Sequence, residues 1–301
     1  MEMIDNFLEY YRKAKMMQEL KFEGASYTKE DIDDDLIWHV PIYDVVNRKY
    51  AAFSSLLEAL YLREKDPKGN GINFPKSDKI SKNDFIDLCY LFRLCGSGIN
   101  YKPKLDEPWG THGFGNFWIV DLLKNEIFDY PQWIYFLPEN KFCDVKGYVL
   151  PMIKDGLRNF IVNESKYLVY HIKNFVLKSK NVGIKEIVDH GNKWLVERGY
   201  MRQNFVLTAF AMDLAEYFPE HVNRDSDVYI GSNAKKCLKL ILPKMKQDDA
   251  LRYLCDITGN FSKPYDMEDV ACDFIRYLEN FQSSDHILMN NNLTYTNNVH
   301  K

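Results

Sequence analysis

The stretch MIDNFLEYYRKAKMMQEL, residues 3–20, predicts an α-helix because its apolar side chains recur with the period of one. They fall near one stripe of that helix: Ile4, Phe7, Leu8, Tyr11, Met16 and Leu20. The same period returns over residues 31–50, 51–62, 82–94, 114–126, 144–161, 167–177, 184–197, 203–217, 232–241, 248–255 and 267–281. No segment alternates convincingly with the period of a β-strand, so the sequence predicts an all-α fold.

Turn-forming residues separate these helices. Residues 63–79 and 95–113 concentrate Pro, Gly, Asn and Lys and are predicted to be loops, the second long enough to favour a functional role. Thr28 and Ser232 are predicted helix N-caps. We expect one helical domain over residues 1–283. It could consist of two lobes that meet near the loop before Gly113. The Asn-rich residues 284–301 are expected to be a disordered tail.

The charge and cysteine content of the chain argue against several classes of protein. The formal net charge is −4 and the pI is near 6.0, so no global basic field attracts nucleic acid and any DNA contact must be local. The six cysteines have no paired short spacing, which predicts buried free thiols without a zinc site or disulfides. The N-terminus lacks the pattern of a signal peptide and no apolar run spans a bilayer. A cytoplasmic protein with no membrane partner is expected.

The stretch HGFGNFWIVDLL, residues 112–123, carries the most specific chemical signal. Gly113 and Gly115 bracket one apolar residue and lead into a predicted helix, as in a helix-hairpin-helix turn. Glycines there let backbone N–H groups at a helix start point at a phosphate. His112 adds a polar side chain and Trp109 a stacking surface. An ordinary tight turn between packed helices would explain the same glycines.

Other charged residues allow both a chemical and a structural interpretation. Asp144 is either a catalytic carboxylate or a helix N-cap, and Lys154 and Arg158 share a helical face that holds a polyanion or simply meets solvent. Asp213 and Glu216, three residues apart, could position an amine or a metal, and the helix start at Ser232 could accept a phosphate. The motifs of P-loop, dinucleotide-binding, zinc-protease and serine-hydrolase sites do not occur.

Three segments in order resemble a family of helical, DNA-glycosylase-like phage proteins that hypermodify thymine. The family comprises amino acid:DNA transferases and the proteins catalogued as glutamyl or putrescinyl thymine pyrophosphorylases. The segments are GFGNFWIVDLL (residues 113–123), KDGLRNFI (154–161) and YDMEDVACDFIRYLE (265–279). The chain departs from the family pattern at Ile119, Ala271, Asp273 and Arg276, where the family has Ala, Leu, Glu and Lys.

The resemblance implies a glycosylase-like fold and a transfer reaction on DNA. An amine from an amino acid or polyamine would displace pyrophosphate from an activated 5-hydroxymethyluracil, and a kinase of the same modification pathway would activate that base. The base would have to leave the stack to enter a pocket. No metal and no cofactor is implied. If the chain is phage-encoded, the host cytoplasm is its expected location.

The resemblance also assigns roles to residues of this chain. Those expected to hold DNA or pyrophosphate are Gly113, Gly115, Asn116, Arg48, Lys154, Arg158 and Arg276. Those expected to move protons are His112, Asp121 and Asp144. Two alternatives stay open: a helix-hairpin-helix DNA glycosylase with Asp144 as its key carboxylate, and a helical DNA-binding protein without catalysis.

Overall fold

A computed structural model describes residues 3–39, 43, 46–50, 82–95, 160–259 and 263–279. These residues are mostly helical, which confirms the all-α class. The helices are α1 Met3–Phe22, α2 Lys29–Ile32, α3 Asp35–His39, α4 Lys82–Cys95, α5 Lys166–Lys178, α6 Ile184–Glu197, α7 Asn204–Tyr217, α8 Ser232–Ile241, α9 Gln247–Thr258 and α10 Pro264–Leu278. The described residues also contain a 3₁₀ turn at Arg48–Tyr50 and a π turn at Ile161–Ser165.

The described residues divide into two compact units. The first unit contains those up to Tyr50 and those from Arg224 onward. Its centre is an aromatic cluster whose neighbouring rings lie between 4.9 and 6.3 Å apart, centroid to centroid. The cluster joins α1 to α10 through Phe7, Tyr10, Tyr43, Phe274 and Tyr277. Helix α10 also packs along α8 and α9, so it is the central element of this unit.

Residues 31–50 do not form the single helix that the sequence predicts. Asp33 adopts a left-handed conformation (φ 47°) that ends α2. Asp34 then starts α3, because its Oδ1 accepts the backbone N–H groups of Leu36 and Ile37 at 3.0 Å. The N-cap prediction for Thr28 is confirmed: its hydroxyl and the Asp31 carboxylate form a capping box at the start of α2.

The second unit contains the described residues from Lys82 to Asn223. Helices α5, α6 and α7 pack together with α4, and two short parallel strands, β1 Val182–Gly183 and β2 Val222–Asn223, pair beside them. Gly191 permits the close approach of these helices. A Cβ there would lie 2.9 Å from Ile172 Cδ1 of α5 and 3.0 Å from Leu207 Cδ1 of α7.

Two helices have the bounds that the sequence predicts, α6 at Ile184–Glu197 and α8 at Ser232–Ile241. The cap of α8 differs, because Gly231 and not Ser232 occupies the N-cap position. The predicted helices at 51–62 and 114–126, the hairpin turn at 112–116 and the tail at 284–301 lie outside the described residues, as does all but the last two residues of the helix predicted at 144–161.

Candidate functional site

Two of the ten predicted site residues lie in the part of the chain that the structure describes. They are Arg48 and Arg276, and both belong to the first unit. The other eight lie outside it: Gly113, Gly115, Asn116, Lys154, Arg158, His112, Asp121 and Asp144. Their expected roles therefore stay predictions.

Arg48 opens the 3₁₀ turn and is held against α10 at two points. Its backbone N–H donates to Asp266 Oδ1 at 2.7 Å, and its Nη1 donates to Asp269 Oδ2 at 2.7 Å. The Arg48 side chain is 8% exposed, whereas that of Asp269 is 40% exposed. A backbone bond and an ion pair together fix the guanidinium close to the surface of α10.

Arg276 lies on the same helix and completes a row of charges. Its Nη1 donates to Asp273 Oδ1 at 2.7 Å. Residues four apart on a helix are neighbours on one face, so Asp273 follows Asp269 by one turn. Arg48 and Arg276, far apart in sequence, are thus both paired with carboxylates of one face of α10. We call Arg48, Glu268, Asp269, Asp273 and Arg276 the arginine–carboxylate cluster.

Glu268 is the buried member of this cluster. Its Oε1 accepts the backbone N–H of Gly231 at 2.8 Å, at the start of α8. Burial first and the negative charge of Asp269 second raise the pKa of Glu268 to about 8, although Gly231 and Arg48 act in the opposite sense. The carboxyl group is therefore mostly protonated at pH 7.

The start of α8, which the sequence offers to a phosphate, has a carboxyl group of the chain at its N-cap. Glu268 Oε1 accepts the N–H of Gly231 there. The contact is close, since a Cβ on Gly231 would lie 3.0 Å from Glu268 Oε1. The helix start thus binds a carboxyl group of the chain itself.

The arginine–carboxylate cluster combines two capabilities. Guanidinium groups bind phosphate oxygens with charge-assisted hydrogen bonds, and each carries five N–H donors, so one group can contact a carboxylate and a phosphate together. A carboxyl group whose pKa lies near 8 exchanges its proton close to neutral pH, which suits general acid–base catalysis. Strongly shifted pKa values of this kind concentrate at functional sites.

Asp213, proposed from sequence as half of an amine or metal site, has a different environment. Its two oxygens accept Nε and Nη2 of Arg93 at 2.6 and 2.7 Å. The two side chains are only 1% and 5% exposed. Within the described ranges no three His, Cys, Asp or Glu side chains group as metal ligands would. Asp213 is therefore a structural ion-pair residue of the second unit.

The described cysteines agree with the expectation of free thiols. Cys89, Cys237 and Cys255 are free and buried, and Cys272 is free and half-buried. Burial raises the pKa of Cys237 and of Cys255 to about 12 and also raises that of the other two thiols. These groups stay protonated at neutral pH, so they are poor nucleophiles.

Sequence reasoning missed Glu268 and Asp269. Both lie in the segment 265–279 that carries the family resemblance, but the helical pattern alone gives them no partner. One signal was available: Glu268 directly follows Met267 of the apolar stripe, a position that borders the buried face of α10. The pairing with Arg48 depends on tertiary packing and has no sequence signal.

No protein-family model, curated protein or solved structure matches this chain. The chemistry of the arginine–carboxylate cluster is therefore inferred from its own residues and their contacts. Over the ranges that the structure describes, every helix is too short or too polar to cross a membrane.

Proposed function

We propose that the chain transfers an amine, from an amino acid or a polyamine, to an activated 5-hydroxymethyluracil base in DNA. One observation carries the proposal. Arg48 and Arg276, the two described residues expected to hold pyrophosphate, lie along one face of α10 beside a carboxyl group whose pKa is near 8. A cationic pair for a leaving group and a group that moves a proton are what this reaction needs.

The proposed step is a displacement at the 5-methylene carbon of the base. The amine nitrogen forms a bond to this carbon, and the bond from the carbon to the pyrophosphate oxygen breaks. Pyrophosphate leaves with the bonding electrons and its negative charge is stabilised by Arg48 and Arg276. The proton lost by the amine passes to a carboxylate, for which Glu268 in its ionised form is our candidate.

DNA binding is assigned to residues that the sequence singled out. In the proposal, the N–H groups at Gly113, Gly115 and Asn116 contact a DNA phosphate, and Lys154 and Arg158 contribute further positive charge. His112, Asp121 and Asp144 stay candidates for additional proton transfer. These roles come from the resemblance to the thymine-hypermodifying family.

The test is mass spectrometry of nucleosides released from 5-hydroxymethyluracil DNA. The DNA is incubated with the full chain, an activating kinase, ATP and, one at a time, amino acids and polyamines. We expect a new nucleoside whose mass equals that of thymidine plus the amine minus two hydrogens, together with released pyrophosphate. Omission of the kinase must abolish the product.

Other outcomes separate the alternatives. Abasic sites formed without amine or ATP would identify a DNA glycosylase and contradict the transfer reaction. DNA binding with neither product nor abasic sites for any amine would indicate a binding protein without catalysis and would also contradict it.

A further inference from the structure

The second unit carries aromatic side chains that its core does not use. On α5, Tyr167 is 54% exposed and Tyr170 is 63% exposed. His171 lies one turn after Tyr167, so the three side chains border one face of this helix. Large aromatic side chains are usually buried for most of their area, and adjacent exposed ones indicate a contact surface.

A second helix extends this surface by ring stacking. The His190 ring of α6 stacks on His171 with centroids 4.1 Å apart and planes inclined by 6°, and on Phe175 at 4.1 Å and 15°. Burial lowers the pKa of both histidines, and the charge of Arg198 further lowers that of His171. Neutral rings keep the apolar faces needed for stacking. We call Tyr167, Tyr170, His171 and His190 the aromatic face.

Positive charge surrounds the aromatic face. Lys166 Nζ lies 4.9 Å from the Tyr167 ring centroid, and the charges of Lys193 and Arg198 act on the histidine pair against one acid, Glu197. Residues 160–205 contain eight Lys and Arg but four Asp and Glu, in a chain whose net charge is −4. This stretch of sequence is therefore net positive, opposite in sign to the whole chain.

We propose that the aromatic face of α5 and α6 binds single-stranded nucleic acid. Bases stack on Tyr167 and Tyr170, and the phosphates between them contact Lys166, Lys193 and Arg198. Aromatic platforms bordered by cations bind single strands because an unpaired base offers its flat face, which a duplex buries. The proposal goes beyond the transfer reaction and does not depend on it, because it requires no modified base.

The experiment measures fluorescence anisotropy of a labelled oligothymidylate with the full-length chain. We expect binding at low salt and an affinity at least about fivefold lower for the combined Tyr167→Ala, Tyr170→Ala variant, from the loss of stacking. The matched control is Tyr253→Ala, which removes a 40% exposed tyrosine from α9 of the first unit and should leave the affinity unchanged. Circular dichroism melting verifies that each variant stays folded.

Salt dependence tests the charged part of the proposal. Lys193→Gln should reduce the slope of log affinity against log salt by about 0.7, the value for one phosphate contact to a single strand. Lys236→Gln, on the exposed side of α8 in the first unit, should not change the slope.

Three results would overturn the proposal. The first is that the wild type does not bind oligothymidylate at low salt. The second is that the wild type and the tyrosine variant bind it with equal affinity. The third is that the wild type sediments as an oligomer and the tyrosine variant as a monomer. The last result would assign the face to contact between copies. Because the probe carries no modified base, each of these results is separate from success or failure of the transfer assay.

Discussion

Each unit contains an arginine bound to an aspartate, and the two pairs differ in accessibility. In the second unit, Arg93 donates two hydrogen bonds to Asp213, and both side chains are almost fully buried. In the first unit, Arg48 donates one side-chain hydrogen bond to Asp269, whose side chain is 40% exposed. Both charges of the first pair are enclosed by the protein, whereas in the second pair the carboxylate of Asp269 reaches the surface and the guanidinium of Arg48 does not.

An arginine–aspartate pair therefore does not by itself define a role. A buried bidentate pair is costly to disrupt because the remaining charge cannot reach water. In a pair with one exposed partner, water screens the interaction and the loss of that partner costs less. The two units should therefore respond differently when their charges are removed or titrated.

The largest expected effect is that of Asp213→Ala. The substitution leaves the Arg93 guanidinium buried without its carboxylate, so we expect the free energy of unfolding to fall by about 3–5 kcal/mol. Urea unfolding monitored by circular dichroism measures the change.

The control for Asp213→Ala is Asp227→Ala, which removes the partner of Arg252 from an ion pair at the surface of the first unit. Exposed pairs contribute about 0–1 kcal/mol, so this variant should be nearly as stable as the wild type. Equal losses for the two variants would contradict the structural role of the buried pair.

A smaller effect is expected for Glu268→Gln, and it depends on pH. The pKa of Glu268 rises on folding from its usual 4.5 to about 8, so the folded state binds the extra proton between these values and the wild type loses stability as pH rises through them. Glutamine keeps an oxygen for the Gly231 N–H and does not ionise. The variant should therefore be more stable than the wild type by about 2 kcal/mol at pH 6, by more at pH 8, and equally stable near pH 4.

Thermal melts of both proteins over this pH range measure the difference. A constant difference between Glu268→Gln and the wild type would mean that Glu268 ionises normally, which would remove it as a proton-transfer candidate. The arginine–carboxylate cluster would then contain no carboxyl group known to exchange its proton near neutral pH.

The smallest effect is expected for His190→Phe in the second unit, and its pH dependence has the opposite sign. Folding lowers the pKa of His190 and His171 below the usual 6.5, so the unfolded state binds more protons and the wild type loses stability as pH falls from about 7 through this region. Phenylalanine at position 190 can still stack on His171 and Phe175, and it has no group that takes up a proton. The melting temperatures of the wild type and the variant should agree at pH 8, and the variant should lose less stability than the wild type between pH 8 and pH 5. An equal loss of stability in the two proteins over this range would contradict the lowered pKa of His190.

The sequence was sufficient to predict helices with strong apolar periodicity. Helix α6 has a clear stripe and its predicted bounds agree with the structure. The prediction for residues 31–50 was wrong because one left-handed residue, Asp33, and one capping carboxylate, Asp34, divide a periodic segment. Such breaks depend on hydrogen bonds that an average over a window does not detect.

The site was less predictable than the fold. Arg48 and Arg276 were singled out, but the pairing of Arg48 with Asp269 and the burial of Glu268 arise only when α10 packs against α8 and the 3₁₀ turn. Asp213 shows the opposite error, since a carboxylate pair at helical spacing suggested chemistry where the structure has a buried ion pair. Long-range partners of charged residues leave no periodic signal in the sequence.

Two arginine variants test whether pyrophosphate leaves at the arginine–carboxylate cluster. The measurement is the initial rate of product formation from activated DNA. Arg276→Gln removes a cluster cation, and Arg252→Gln removes an exposed, ion-paired arginine of the same unit. We predict a rate at least about tenfold lower for Arg276→Gln, corresponding to about 1.4 kcal/mol of lost transition-state stabilisation, with Arg252→Gln equal to the wild type. Equal rates for the two variants, each folded as judged by its melting temperature, would contradict the claim.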